Sequence, residues 1–144
     1  MPRRSLQWRL SFLEAPMGEQ ESGPLRQRLQ SMLNADVVAI ISRPRPGFDP
    51  AKLLEVHLDF MIALEKQGLL FLSGPLTGRD GKFGQFGLSV LNVRTIEEAE
   101  KIWADEPFFR AGQRDAEFYV WRLMEGRLSL SFDLSDRSFF MREV

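Results

Sequence analysis

One stretch of the chain, residues 56–75 (VHLDFMIALEKQGLLFLSGP), constrains the fold more than any other. It joins an apolar helix to a short apolar strand. Gly68 marks the corner between them, because glycine adopts the left-handed turn that closes a helix without steric cost. Residues 69–72 are apolar on both sides, as in a strand that is covered on both faces. The Ser-Gly-Pro triplet at 73–75 predicts the end of that strand, since proline cannot donate to a sheet ladder.

The other elements follow in an order that indicates one fold class. The Asp-Pro pair at 49–50 predicts the start of the first helix, and the Thr-Ile-Glu-Glu pattern at 95–98 predicts a capping box at the start of a second, which Pro107 ends. Runs of β-branched or alternating apolar residues predict strands at 37–42, 69–72, 85–93 and 115–124. The order is strand, helix, strand, strand, helix, strand. It predicts an α+β, ferredoxin-like βαββαβ fold with an antiparallel sheet and helices on one face.

We expect the second face of this sheet to be buried against another element of structure. Its strands carry apolar residues on both sides, whereas helices in this topology lie on one face only. An identical subunit is the simplest source of a second sheet. We therefore expect a homodimer or a higher homo-oligomer.

The predicted core occupies residues 36–125 and is flanked by two further segments. Residues 1–35 form an N-terminal extension in which 5–13 and 25–33 are predicted as short helices, with partial disorder as the alternative. Residues 126–144 form a C-terminal strand and tail. The strand is expected to pair back through the turn at 125–126, and Phe139 and Phe140 are expected to dock on the protein.

Composition excludes several classes of site. The chain of 144 residues has no cysteine and one histidine, so thiol nucleophiles, disulfides and multi-histidine metal sites within one chain are ruled out. Its 19 basic and 20 acidic residues nearly cancel, which argues against nucleic-acid binding. No apolar run approaches the ~20 residues of a membrane span, and no signal peptide is evident. A cytoplasmic protein without cofactor or membrane partner is expected.

His57 is the main candidate for chemistry. It shares one helical face with Leu53, Phe60, Met61 and Leu64, and therefore points into apolar surroundings. An imidazole there could act as a general acid or base if a carboxylate fixed its tautomer. The alternative is a histidine that is hydrogen-bonded inside the core and chemically inert.

Other polar and aromatic residues have weaker signals. Ser73 lacks the surroundings of a nucleophile elbow, so a hydroxyl that caps local backbone is the better reading. Three loop arginines could bind a substrate carboxylate or phenolate, although solvated charges are the simpler interpretation: Arg43, Arg45 and Arg79. Three aromatic residues could line a flat pocket or pack in the core: Phe108, Trp103 and Trp121.

The chain resembles the YCII-related family of small bacterial proteins over about residues 37–121. The residues that carry the resemblance are His57, Leu58, Gly68, Leu70, Ser73, Gly74, Pro75, Ala99, Asp105, Glu106, Pro107, Phe108, Ala111 and Gly112. The resemblance implies a dimeric α+β barrel, in a superfamily that includes muconolactone isomerases and monooxygenases. It also implies a histidine and an aspartate near one pocket. The histidine corresponds to His57. The Asp-Pro element corresponds to Glu106-Pro107, with Glu in place of Asp, and Asp105 is the neighbouring alternative.

Together these observations predict a cofactor-independent enzyme. His57, paired with Glu106 or Asp105, would transfer a proton on a small cyclic or phenolic metabolite in a lyase- or isomerase-type reaction. The predicted substrate-binding residues are Ser73, Gly74, Pro75, Arg43 and Phe108. The alternative is a non-catalytic dimeric module that binds a small ligand or a partner protein. A monooxygenase is a weaker third possibility.

Overall fold

A computed structural model describes residues 23–129, 131–133, 135 and 138–140. The chain divides into two compact units, Met1–Met32 and Leu33–Val144. In the first unit the described part holds helix α1, Gly23–Gln30, which confirms a helix near 25–33, although none of its residues is buried. The helix predicted at 5–13 lies outside the described residues.

The second unit contains the predicted βαββαβ order. Asp49 accepts a hydrogen bond from the Ala51 backbone N–H at 3.1 Å, and this cap opens a short 3-10 turn, Pro50–Lys52, before α2. The capping box at 95–98 starts α3 as predicted. The elements in chain order are β1 Ala35–Pro44, α2 Leu54–Lys66, β2 Leu70–Leu76, β3 Phe86–Leu91, α3 Ile96–Trp103, α4 Pro107–Arg110 and β4 Arg114–Leu123.

The four strands form one antiparallel sheet with the order β2-β3-β1-β4. In this register Val38 of β1 lies opposite Leu91 of β3 and Val120 of β4. The arrangement confirms the ferredoxin-like α+β fold. No helix in the described part of the chain is long and apolar enough to cross a membrane.

The core lies between the helices and one face of this sheet. Val38 and Ile40 alternate along β1 with residues that point the other way, so both side chains reach the same face. They pack with residues of β3 and of both long helices in one buried cluster that includes Leu91, Met61, Leu64, Ala99 and Trp103. Because α2 and α3 both contribute to this cluster, the helices cover one face of the sheet, as predicted.

Strand β2 differs from the prediction in its end and in its burial. Gly68 has the expected positive φ, +73°, but the Ser-Gly-Pro triplet continues the strand, since Pro75 lies opposite Gly87 of β3. β2 is an edge strand, where a missing proline N–H leaves no ladder bond unmade. Leu72 is 58% exposed, so the predicted cover on both faces is not found for this strand among the described residues.

The C-terminal strand is present, but its pairing was predicted wrongly. Among the described residues, β5 (Ser131–Asp133) pairs with β6 (Ser138–Phe140) in a separate two-stranded sheet, and it does not extend the main sheet through the turn at 125–126. The segment between β5 and β6, residues 134–137, is shorter than the segment between β4 and β5, residues 124–130, so bringing its ends together costs less entropy. Docking of the Phe139 and Phe140 side chains stays a prediction.

Candidate functional site

The candidate site is built on a buried carboxylate at the start of α4. Glu106 is 1% exposed and is the N-cap residue of this short helix, with Pro107 at the first helical position. Its Oε1 accepts a hydrogen bond from the Phe108 backbone N–H at 3.2 Å, and its Oε2 accepts one from Phe109 N–H at 2.8 Å. The local Glu-Pro-Phe-Phe sequence therefore fixes the carboxylate before any other residue contacts it.

Helix α2 brings His57 to this carboxylate. His57 Nδ1 lies 2.7 Å from Glu106 Oε1, and the His57 side chain is 26% exposed. A carboxylate that already accepts two backbone N–H bonds acts as an acceptor, so Nδ1 carries the proton and donates it. In the neutral imidazole, Nε2 then holds a lone pair. No described residue hydrogen-bonds to Nε2.

An aromatic series connects His57 to an arginine. The His57 and Phe108 rings lie 5.0 Å apart between centroids, and Phe108 meets Phe48 edge-on at 5.1 Å. The guanidinium carbon of Arg114 lies 4.9 Å from the centre of the Phe48 ring. Arg114 Nη2 donates to the Ser42 carbonyl oxygen at 3.2 Å. Burial lowers the pKa of the Arg114 guanidinium, and the negative charge of Glu106 opposes this shift.

The strand register places several polar side chains on the sheet face that the helices cover. Ser42 follows Val38 and Ile40 on the core side of β1. Ser73 and Ser89 lie opposite each other in β2 and β3, and their hydroxyl oxygens are 2.8 Å apart. Arg114 alternates with Ala116 and Phe118, which pack on the core, and so faces the same side.

Comparison with known proteins identifies the family. A sequence model of the YCII-related domain matches residues 37–122. The chain belongs to the YCII-related family. One similar solved structure is 5-chloro-2-hydroxyhydroquinone dehydrochlorinase from Burkholderia phenoliruptrix AC1100 in complex with 2,5-dihydroxybenzoquinone. It has 22% sequence identity and a TM-score of 0.49, covering 62% of this chain and 95% of that chain. A comparison with curated proteins finds no match.

Several predicted site residues of this YCII-related domain lie elsewhere. Asp105, the alternative carboxylate, is 74% exposed in its side chain and faces Arg110 at 3.9 Å, so Glu106 is the one in contact with His57. Arg43 is not in a loop but in β1, on the opposite sheet face from Ser42. There its Nε donates to Glu117 at 2.8 Å, and its guanidinium lies over the Phe86 ring.

The remaining predicted residues divide between the two faces. Pro75 shares the face of Ser73, whereas Gly74 between them points to the other side. Phe108 is buried against His57 as described above. Arg45 donates to Asp115 at 2.8 Å, which raises the pKa of Arg45 and lowers that of Asp115, and Arg79 lies in an exposed turn. The described residues include no cluster of three or more His, Asp or Glu side chains that could hold a metal ion.

Sequence reasoning missed three contributors to the site: Arg114, Ser89 and Phe48. The signal for Arg114 was its even spacing from Ala116 and Phe118, which are apolar and face the core. The predicted strand starts at residue 115, whereas β4 starts at Arg114, so the prediction assigns Arg114 to no face of the sheet. Ser89 carried a similar signal, between Gly87 and Leu91.

Proposed function

We propose that this YCII-related protein is a cofactor-independent enzyme in which His57, oriented by Glu106, transfers a proton on a small cyclic or phenolic metabolite. The reaction class is lyase or isomerase. The observation that carries the proposal is the 2.7 Å contact between His57 Nδ1 and a carboxylate that is itself held by two backbone N–H groups. Such an arrangement resembles the base and orienting group of general acid–base sites.

The proposed mechanism uses the two imidazole nitrogens differently. Nε2 accepts a proton from the substrate, while Nδ1–H stays hydrogen-bonded to Glu106. The imidazolium that forms lies beside a full negative charge, which stabilises it where few waters can do so. Nε2 then returns the proton to another atom of the substrate, as in an isomerisation, or to a leaving group, as in an elimination.

The partly exposed imidazole supports this proposal over an inert core histidine. A histidine with a purely structural role is expected to have both ring nitrogens satisfied and little exposure. The 26% exposure of His57, with Nε2 unbonded among the described residues, leaves that nitrogen available to a ligand.

A homodimer is the second part of the proposal. On the sheet face away from the helices, the two edge strands β2 and β4 carry side chains that are 40–58% exposed: Leu72, Leu76, Tyr119 and Trp121. Large exposed apolar side chains on one face of a sheet are typical of an interface. A second copy would cover them with an identical face. The same face also supports the alternative of a non-catalytic dimeric binding module.

The variant His57→Asn tests the enzymatic proposal. Asparagine can still donate to Glu106 but has no equivalent of Nε2. Proton transfer can be followed by NMR as exchange of carbon-bound hydrogen with D₂O, across a panel of small phenols and cyclic ketones. We expect exchange on a responsive compound to fall by about 10²–10⁴-fold, because a general base contributes that much.

Leu58→Asn is the matched control, since Leu58 is exposed on the same helix. It should exchange at the wild-type rate. Near-wild-type exchange by a folded His57→Asn variant would reject His57 as the base and favour the binding module.

A further inference from the structure

The Arg114 guanidinium is a partly buried cation whose charge is not directly paired. Its Nε is buried and has no hydrogen-bond partner among the described residues. Nη2 donates to one backbone carbonyl, that of Ser42, and one face of the guanidinium lies over Phe48. No carboxylate in the described part of the chain forms an ion pair with it. By contrast, Arg43 and Arg45 each bind a carboxylate directly.

Glu106 is not that direct partner. It acts electrostatically on Arg114, but its hydrogen bonds and its ion pair go to other groups. Its Oε1 contacts His57 and the Phe108 N–H, and its Oε2 accepts from the Phe109 N–H. A cation that is partly removed from water and left without a direct counter-ion favours an anion that can approach it.

The surroundings of Arg114 indicate the shape of that anion. The guanidinium fork is suited to two parallel hydrogen bonds with an oxyanion. The Phe48 ring, which is only partly buried, offers a flat surface beside Arg114, and the buried Phe108 ring lies between Phe48 and His57. Gly87 adds no side chain on the same sheet face: a Cβ there would lie 3.9 Å from Arg114 Nη2 and 3.6 Å from Ser42 Cβ. Both distances are ordinary van der Waals contacts, so the missing side chain of Gly87 leaves room for an atom in contact with the guanidinium.

We propose that Arg114 binds the oxyanion of a planar cyclic substrate, a carboxylate or a phenolate, and so holds its ring toward His57 Nε2. This inference rests on the proposed function and adds the substrate class to it. Arg114 has the role of the anion-binding residue that the sequence assigned to Arg43. The substrate is a planar anion and not a neutral or cationic compound.

The test uses benzoate as the probe and benzamide as its neutral counterpart. In the wild-type protein, benzoate titration followed by NMR should shift the Arg114 Nε–H and His57 ring resonances together, whereas benzamide should shift neither. This measurement needs no variant. If saturating benzoate leaves the Arg114 resonance unmoved, or if benzamide binds equally well, the proposal is overturned.

Variants then distinguish anion binding by Arg114 from the proposed catalytic role of His57. Arg114→Gln should weaken benzoate binding by about ten- to a hundred-fold, the loss expected for hydrogen bonds to a charged group. Arg43→Gln, the matched control on the other sheet face, should leave the dissociation constant unchanged. His57→Asn should bind benzoate but lose exchange activity.

The two failures have different signatures. Unchanged benzoate affinity in Arg114→Gln with loss of exchange in His57→Asn would refute the anion site alone. Lost affinity in Arg114→Gln with full exchange in His57→Asn would refute the catalytic role of His57 and retain the anion site.

Discussion

Replacing Glu106 by glutamine removes one negative charge and exchanges one oxygen for an NH₂ group with almost no change of shape. The wild-type carboxylate accepts three hydrogen bonds, from His57 Nδ1, Phe108 N–H and Phe109 N–H. A glutamine oxygen can keep the bond to Phe109. Its NH₂ group then faces His57 and the Phe108 N–H, where two donors oppose each other.

The expected loss of stability follows from the hydrogen bonds that this substitution removes. One hydrogen bond to a charged group contributes about 1.5–3 kcal/mol, and a buried N–H without an acceptor costs about 1–3 kcal/mol. Removal of a buried charge offsets part of that cost. We expect Glu106→Gln to destabilise the protein by about 2–4 kcal/mol, which for a unit of this size lowers Tm by roughly 8–16 °C.

The same substitution should also invert the histidine tautomer. A glutamine NH₂ donates to Nδ1, so the imidazole proton moves to Nε2 and the lone pair proposed as the base disappears. In the serine-protease triad, a comparable Asp→Asn change lowers kcat by about 10⁴. Long-range ¹H–¹⁵N spectra of the ring report the tautomer directly, and thermal unfolding by circular dichroism reports Tm.

Asp105→Asn is the control, because this neighbouring carboxylate is exposed. Its Tm should stay close to that of the wild type, since an exposed substitution changes stability by about 0.5 kcal/mol or less. The reasoning is refuted if Glu106→Gln retains the Nδ1–H tautomer, or if its Tm falls no further than that of the control.

Two further predictions concern the cap of α3 and the sheet face away from the helices. The backbone N–H groups of Arg94 and Thr95 lower the pKa of Glu98 below its usual 4.5, so its stabilising effect is present above that pH and is lost as the pH falls through the lowered value. The Tm of the wild type should therefore fall more between about pH 6 and pH 3 than that of Glu98→Gln. An equal fall of Tm in both proteins would contradict a stabilising effect of the ionised Glu98. Trp121→Glu should turn a dimer into a folded monomer in light scattering, whereas the equally exposed Leu58→Glu on α2 should not. A monomeric wild type would reject that interface.

The starts and ends of the helices could be predicted because caps depend on a few neighbouring residues. Gly68 and the box at 95–98 satisfy backbone groups within four positions, and the structure places both as expected. Asp49 also acts as a cap, but of a 3-10 turn that precedes the first long helix. The C-terminal strand could not be predicted in the same way. Its alternation indicated a strand, but a period of two residues says nothing about which strand will pair with it.

The sequence by itself determined the fold class, the family and the presence of one histidine on an apolar helix face, because periodicity, caps and composition are local properties. Only the tertiary structure decided which of two adjacent carboxylates meets His57. His57 and Glu106 are 49 positions apart in the chain. Glu106 is a buried helix cap, whereas its neighbour Asp105 has an exposed side chain. Likewise, only the structure showed that Arg114 lies on the sheet face that the helices cover and Arg43 on the opposite face, since the face of each depends on the register of β4 against β1.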